Sequence, residues 1–138
     1  MTRAVFDCSV VMSAIGWRNE AYQCLVLVAR RRARAFVTEW ICEEYRRVAQ
    51  RMEAEKIFPR SPWPMFEWFL SACRSVESEP LGKRRSRDPN DDPYLACALG
   101  ANAGLIVSRD EDLLVLGKPF GVEVLTPRAF LSRLTRGA

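Results

Sequence analysis

Carboxylates gather at four points of this chain, each beside an apolar segment. Asp7 closes the short run "AVF", and the pair Glu43–Glu44 sits within "EWICEEYRRVAQRMEAEK". Asp88, Asp91 and Asp92 crowd the start of "RDPNDDPYLACA", and Asp110 and Asp112 follow "GLIVS". Each has a plainer reading. Asp7 fits a helix N-cap, Asp88 and Asp92 fit N-caps with Pro at the next position, and Asp110 and Asp112 fit a turn. Histidine is absent altogether, which excludes Ser-His-Asp and Cys-His catalysis and any His-ligated metal. The five cysteines, Cys8, Cys24, Cys42, Cys73 and Cys97, are odd in number and never spaced C-x-x-C. Zinc and redox-motif readings are therefore weak, and free Cys among apolar neighbours behaves as a small hydrophobe. Any chemistry must run on carboxylates, hydroxyls, Lys or Arg. Oxygen-only ligands suit Mg²⁺ or Mn²⁺.

Helical geometry selects among the acids. Ile41, Tyr45, Val48 and Met52 recur as one apolar stripe. At about 100° per residue, Glu44 lies about 60° from Ile41 and beside Val48, whereas Glu43 falls on the wet face. In the next acidic helix, Asp91 projects about 40° off the stripe through Leu95, Ala98, Leu99 and Asn102. Asp88 and Asp92 remain open as contributors through water. Asp7, Glu44, Asp91 and Asp110, with Asp112 beside the last, thus form an inward or strand-tip set. In a partly dry cleft their repulsion is unfavourable without a cation.

The rest of the chain is basic. Formal net charge is +4 with a sequence pI near 9.0. Positive charge clusters at Arg30–Arg34, at Arg46–Arg47 and at Lys83–Arg87, the footprint of polyanion binding; solvated Arg at helix ends is the competing reading. A divalent cation in an acidic cleft within a basic exterior suits phosphodiester hydrolysis. The ion polarises a phosphoryl oxygen and lowers the pKa of a bound water, while Arg and Lys hold the backbone.

These residues need a scaffold. The chain has 138 residues, which suits one domain over 1–138. Strands are predicted at Ala4–Phe6, Ala35–Thr38, near Val76, at Gly104–Ser108 and at Val122–Leu125. Helices are predicted from about Glu20, from Thr38 as cap, over Met65–Cys73, over Asp91–Asn102, briefly after Asp110, and from Pro127. Strands alternating with helices predict an α/β fold with a mostly parallel sheet. Sites in such sheets lie outside the carboxyl ends of the strands, which is where Asp7 and the Asp110–Asp112 pair fall.

The segments "VFDCSVVMSA", "EEYRRV", "RDPNDDPYLACAL", "LIVSRDEDLLVL" and "VEVLTPRAFL" resemble, in order, those of a PIN domain, most closely the bacterial toxin-like PIN proteins of toxin–antitoxin systems. The resemblance runs from Val5 to Leu131 and is most specific over Asp88–Leu116. It implies a three-layer α/β/α sandwich with a central parallel sheet and a Mg²⁺- or Mn²⁺-dependent endoribonuclease site. By motif position, the site acids are Asp7, Glu44, Asp91 and Asp110, with Asp112 accessory. The family usually has Asn or another polar residue two positions after the first Asp, where this chain has Ser9. Ser9 and Ser108 are expected to orient a bound water or phosphate. Cleavage is expected to leave a 5′-phosphate and a 3′-hydroxyl.

The implied partners are RNA, an antitoxin protein and a second copy of the chain in a homodimer or higher oligomer. Trp63, Trp68 and Phe69 are candidates for an interface groove, in competition with core packing. The alternative function is a PIN-like RNA- or protein-binding module with weak or no nuclease activity. A phospho-acceptor receiver domain is disfavoured, because Asp7 has no acidic neighbour and Lys118 lies before the last strand. No apolar run is long enough for a membrane span, and Asp7 interrupts any signal-like N-terminus, so a cytoplasmic location is the default.

Overall fold

A computed structural model of the chain describes residues 1–81 and 92–136. Five short strands form one sheet: β1 (Arg3–Phe6), β2 (Arg34–Val37), β3 (Arg74–Ser75), β4 (Leu105–Val107) and β5 (Glu123–Leu125). Their order is β3-β2-β1-β4-β5, and every pairing is parallel. The helices are α1 (Cys8–Gly16), α2 (Glu20–Ala29), α3 (Glu39–Ala54), α4 (Trp63–Ala72), α5 (Asp92–Gly100), α6 (Glu111–Leu114) and α7 (Pro127–Arg136). They cover both sheet faces, giving the three-layer α/β/α arrangement. Strands in such a sheet are buried on both sides and read as apolar runs rather than alternations. Ala4, Val5, Phe6, Ile106 and Val107 are accordingly sealed from solvent.

The chain leaves β1 to pair on one side with β2 and on the other with β4. The gap at the carboxyl ends of β1 and β4 is thus a topological switch point, where a cleft opens in open α/β sheets. Phe6 pairs with Val107 across it. The residues that follow, Asp7 and Ser108, are therefore neighbours.

Helix α1 escapes the sequence reading because Val10, Val11, Met12, Ala14 and Ile15 bury nearly its whole circumference. Only Ser9 and Ser13 interrupt the apolar surface, and so narrow a polar face leaves little 3.6-residue alternation to detect. By contrast α3 follows its stripe, with Ile41 and Tyr45 fully buried and Thr38 capping the Ile41 amide at 3.1 Å. Helix α5 ends at Gly100, two residues before the predicted Asn102. Asn102 takes a left-handed φ of 52°, a conformation Asn tolerates after a helix end. Gly100 is required there: a Cβ would lie 2.0 Å from the Glu77 carbonyl. That close approach lets Glu79 donate its amide to Ala96 at 2.9 Å.

Phe6 anchors the core, edge-on to Phe69 at 5.9 Å and to Phe130 at 5.5 Å. Phe69 is wholly buried, so it cannot line an interface groove; Trp68 is exposed, and Trp63 is half-buried against Phe66 and Glu53. Among the described residues no helix is long and apolar enough to cross a membrane.

Candidate functional site

The switch point collects the first of the predicted acids. Asp7 is 3% exposed, and its amide donates to the Val107 carbonyl at 3.1 Å, so the backbone fixes it to the tip of β4. Asp7 caps α1: Oδ1 accepts the Val10 amide at 3.0 Å and the Ser9 hydroxyl at 3.0 Å. Oδ2 accepts the Ser108 hydroxyl. A carboxylate offers about four lone-pair sites, so these three donors leave one open on Oδ2 among the described residues. The capping and ligand readings of Asp7 are therefore compatible.

Ser108, fully buried, is the hinge of the cluster. Its hydroxyl donates to Asp7 and accepts the Asp110 amide at 2.9 Å. Asp110 in turn caps α6, taking the Asp112 amide on Oδ1 at 2.9 Å. Ser9, which is exposed, and Ser108, which is buried, thus both donate to Asp7 and brace it. Burial pushes the Asp7 carboxyl above its usual range, opposed by the three hydrogen bonds and assisted by the nearby charge of Asp110. A carboxylate held in this way is relieved by a proton or a cation.

Glu44 arrives from α3. Tyr45, the next residue, donates its buried hydroxyl to the Phe6 carbonyl, which pins this turn of α3 to the residue preceding Asp7. The Glu44 side chain is only 13% exposed, whereas Glu43 is exposed, as the helical-face argument predicts. Tyr94 donates its hydroxyl to Glu44 Oε1, and Arg47 lies 3.6 Å from Oε2. Burial, with smaller contributions from Tyr45, Cys8 and Glu44, holds the Tyr94 phenol far above its ordinary range, so it stays a donor. Cys8, in the first turn of α1, lies within electrostatic reach of all these groups. Its thiol is pushed up to about 12 by burial and by Glu44 and Asp7, against Arg47 and Arg51. It is therefore protonated at neutral pH and no nucleophile.

Asp91 and Asp88 lie outside the described residues, as does the Lys83–Arg87 cluster. Asp92 and Asp112 are half-buried at the starts of α5 and α6. Among the described residues, no three acidic or thiol side chains gather closely enough to hold a metal ion. The donor set nevertheless fits a hard divalent cation in kind: oxygen ligands only, with one buried carboxylate retaining a free lone pair. The cluster Arg30–Arg34 sits elsewhere. It joins the end of α2 to the start of β2, at the amino-terminal end of the strands, opposite the acids. That run of arginines is therefore not at the cleft. Arg47 contacts the site acid Glu44, and Arg46 turns instead to Glu67 and the Phe66 ring. Sequence reasoning gave no signal for Tyr94 as a partner of Glu44, because the two are brought together only by packing of α5 against α3.

A family model described as "PIN domain" matches residues 3–112, and the chain belongs to that family. Its members are generally nucleases, which places the chain among hydrolases at that coarse level. The crystal structure of PAE2754 from Pyrobaculum aerophilum is similar in fold, with a TM-score of 0.67 at 19% identity over 98% of this chain and 90% of that one. No curated protein matches the sequence.

Proposed function

We propose that this protein is a metal-dependent endoribonuclease. The observation that carries the reading is the chain Asp7–Ser108–Asp110 across the β1/β4 switch point, with Glu44 pinned beside it by Tyr45. Asp7, Glu44, Asp91 and Asp110 would hold Mg²⁺ or Mn²⁺, with Asp112 accessory. When bound, the ion supplies charge neutralisation at the phosphoryl group and acidifies a water ligand. The chain's own contribution is preorganisation: Ser108, Ser9 and the Val10 amide fix the Asp7 rotamer, and Tyr94 fixes that of Glu44. Water adds to phosphorus and the P–O3′ bond breaks, leaving a 5′-phosphate and a 3′-hydroxyl. We extend the proposal to a cytoplasmic toxin restrained by an antitoxin, on the strength of the resemblance to toxin-like PIN proteins. Growth arrest on expression, relieved by the product of an adjacent reading frame, tests that extension.

The central test is cleavage of single-stranded RNA with Mn²⁺, with and without chelator. Asp7→Asn and Asp110→Asn are each expected to abolish cleavage while circular dichroism is unchanged. Full activity in both variants refutes the assignment. A second reading, a PIN-like binding module with weak or no activity, draws support from Glu44, whose two oxygens are already engaged by Tyr94 and Arg47. Calorimetry separates the two: no Mg²⁺ or Mn²⁺ affinity at millimolar concentration favours the binding module.

A further inference from the structure

Trp40 occupies the second position of α3, just past the carboxyl end of β2, and is 41% exposed despite its size. Single exposed hydrophobes are ordinary, but this one stands in a particular place. Tyr94 meets the indole edge-on, with ring centroids 6.2 Å apart at 85°, and the same Tyr94 hydroxyl donates to Glu44. The indole is thus tied to the residue that orients a site acid. Along α3, Trp40, Glu44, Arg47 and Arg51 recur at i, i+4, i+7 and i+11, within about 60° of one another around the axis. Trp40 precedes Glu44 by about 6 Å along the helix, and Arg51 follows after about 10 Å more. The Arg47 side chain is 66% exposed and Arg51 is exposed. The other markedly exposed indoles belong to other surfaces: Trp17 packs on Phe58, and Trp68 borders a groove between Arg18 and Met65.

An aromatic ring, a carboxylate and two guanidiniums in one row offer what a single nucleic-acid strand presents: a base face and a charged backbone. We propose that Trp40 is a base-stacking platform, on which one unpaired base lies while the adjoining backbone follows Arg47 and Arg51 past Glu44. This subsite rests on the nuclease reading and adds to it the position at which one unpaired or extruded base is held. A base inside a duplex has both faces already stacked and cannot use the indole. The neighbouring guanidiniums favour a polyanion over an apolar protein segment at this ring.

The test measures binding of a fluorescein-labelled single-stranded RNA heptamer by anisotropy, in chelator to prevent cleavage. Trp40→Ala is expected to weaken binding about 5- to 150-fold, the range that one base–aromatic stack covers, and Trp40→Phe to recover most of the loss. An abasic nucleotide stepped along the heptamer is expected to weaken the wild type at one position and to leave Trp40→Ala unaffected at that position. Under Mn²⁺ turnover, Trp40→Ala is expected to raise KM more than it lowers kcat. Binding of Trp40→Ala within two-fold of wild type, or equal abasic losses in both proteins, overturns the subsite while leaving the nuclease reading intact. Loss of a protein partner on Trp40→Ala with unchanged RNA affinity also overturns it. A wild type that neither binds RNA nor cleaves it with Mn²⁺ overturns both.

Discussion

Ser108→Ala removes one oxygen and two hydrogen bonds. The hydroxyl is buried, donates to the Asp7 carboxylate and accepts the Asp110 amide at 2.9 Å. A bond to a charged group contributes about 1.5–3 kcal/mol and a neutral one about 0.5–1.5 kcal/mol, so the loss is about 2–4 kcal/mol at neutral pH. At about 2.1 cal/mol/K per residue of unfolding entropy, that lowers Tm by about 7–14 °C for this chain. The loss is expected to depend on pH. Asp7 titrates above its usual range in the folded protein, and the Ser108 hydrogen bond is the largest influence restraining that rise. A raised carboxyl contributes its stability below the unfolded pKa and loses it as pH climbs through the folded pKa. Without Ser108 the folded value rises further, so the variant continues losing stability at higher pH than the wild type. The difference between the two proteins therefore widens from acid toward neutrality. Urea unfolding in chelator at pH 4 and pH 7.5 measures it, with the slope m unchanged. A deficit below about 0.5 kcal/mol, or one that is equal at both pH values, refutes the bridging role assigned to Ser108.

Three other substitutions separate site, core and surface. Tyr94→Phe removes the donor to Glu44 Oε1 and is expected to cost about 1–3 kcal/mol and to raise the Mn²⁺ concentration for half-maximal cleavage; an unchanged metal dependence counts against Tyr94 as the residue that positions Glu44. Phe69→Ala empties the space beside Phe6 and Tyr45 and is expected to cost about 3–5 kcal/mol. Trp68→Ala, at the surface, is expected to cost about 1 kcal/mol or less, so equal losses in thermal unfolding would overturn the division of these aromatics into core and surface.

Much of this was written locally in the chain. The run "AVF" before Asp7 and "GLIVS" before Asp110 announce buried parallel strands with acids at their tips, because a strand covered on both faces must be apolar throughout. The stripe Ile41–Tyr45–Val48–Met52 placed Glu44 inward and Glu43 outward, since that choice depends only on 3.6-residue geometry. Thr38 and Thr126 announced their helices because capping is a contact between residues three apart. Helix α1 stayed hidden because a short, mostly buried helix has too narrow a polar face to show a period. Three other features were settled only by folding. Ser108 meets Asp7 across 101 positions of sequence, because β1 and β4 pair in parallel with Phe6 opposite Val107. Tyr94 reaches Glu44 because α5 packs against α3. The arginine run Arg30–Arg34 lies at the amino-terminal end of the strands, away from the acids, because it precedes β2 rather than following it. Spacing along a chain dictates which face of an element a side chain occupies; which faces meet is decided by strand order and register, through contacts between residues with no local relation.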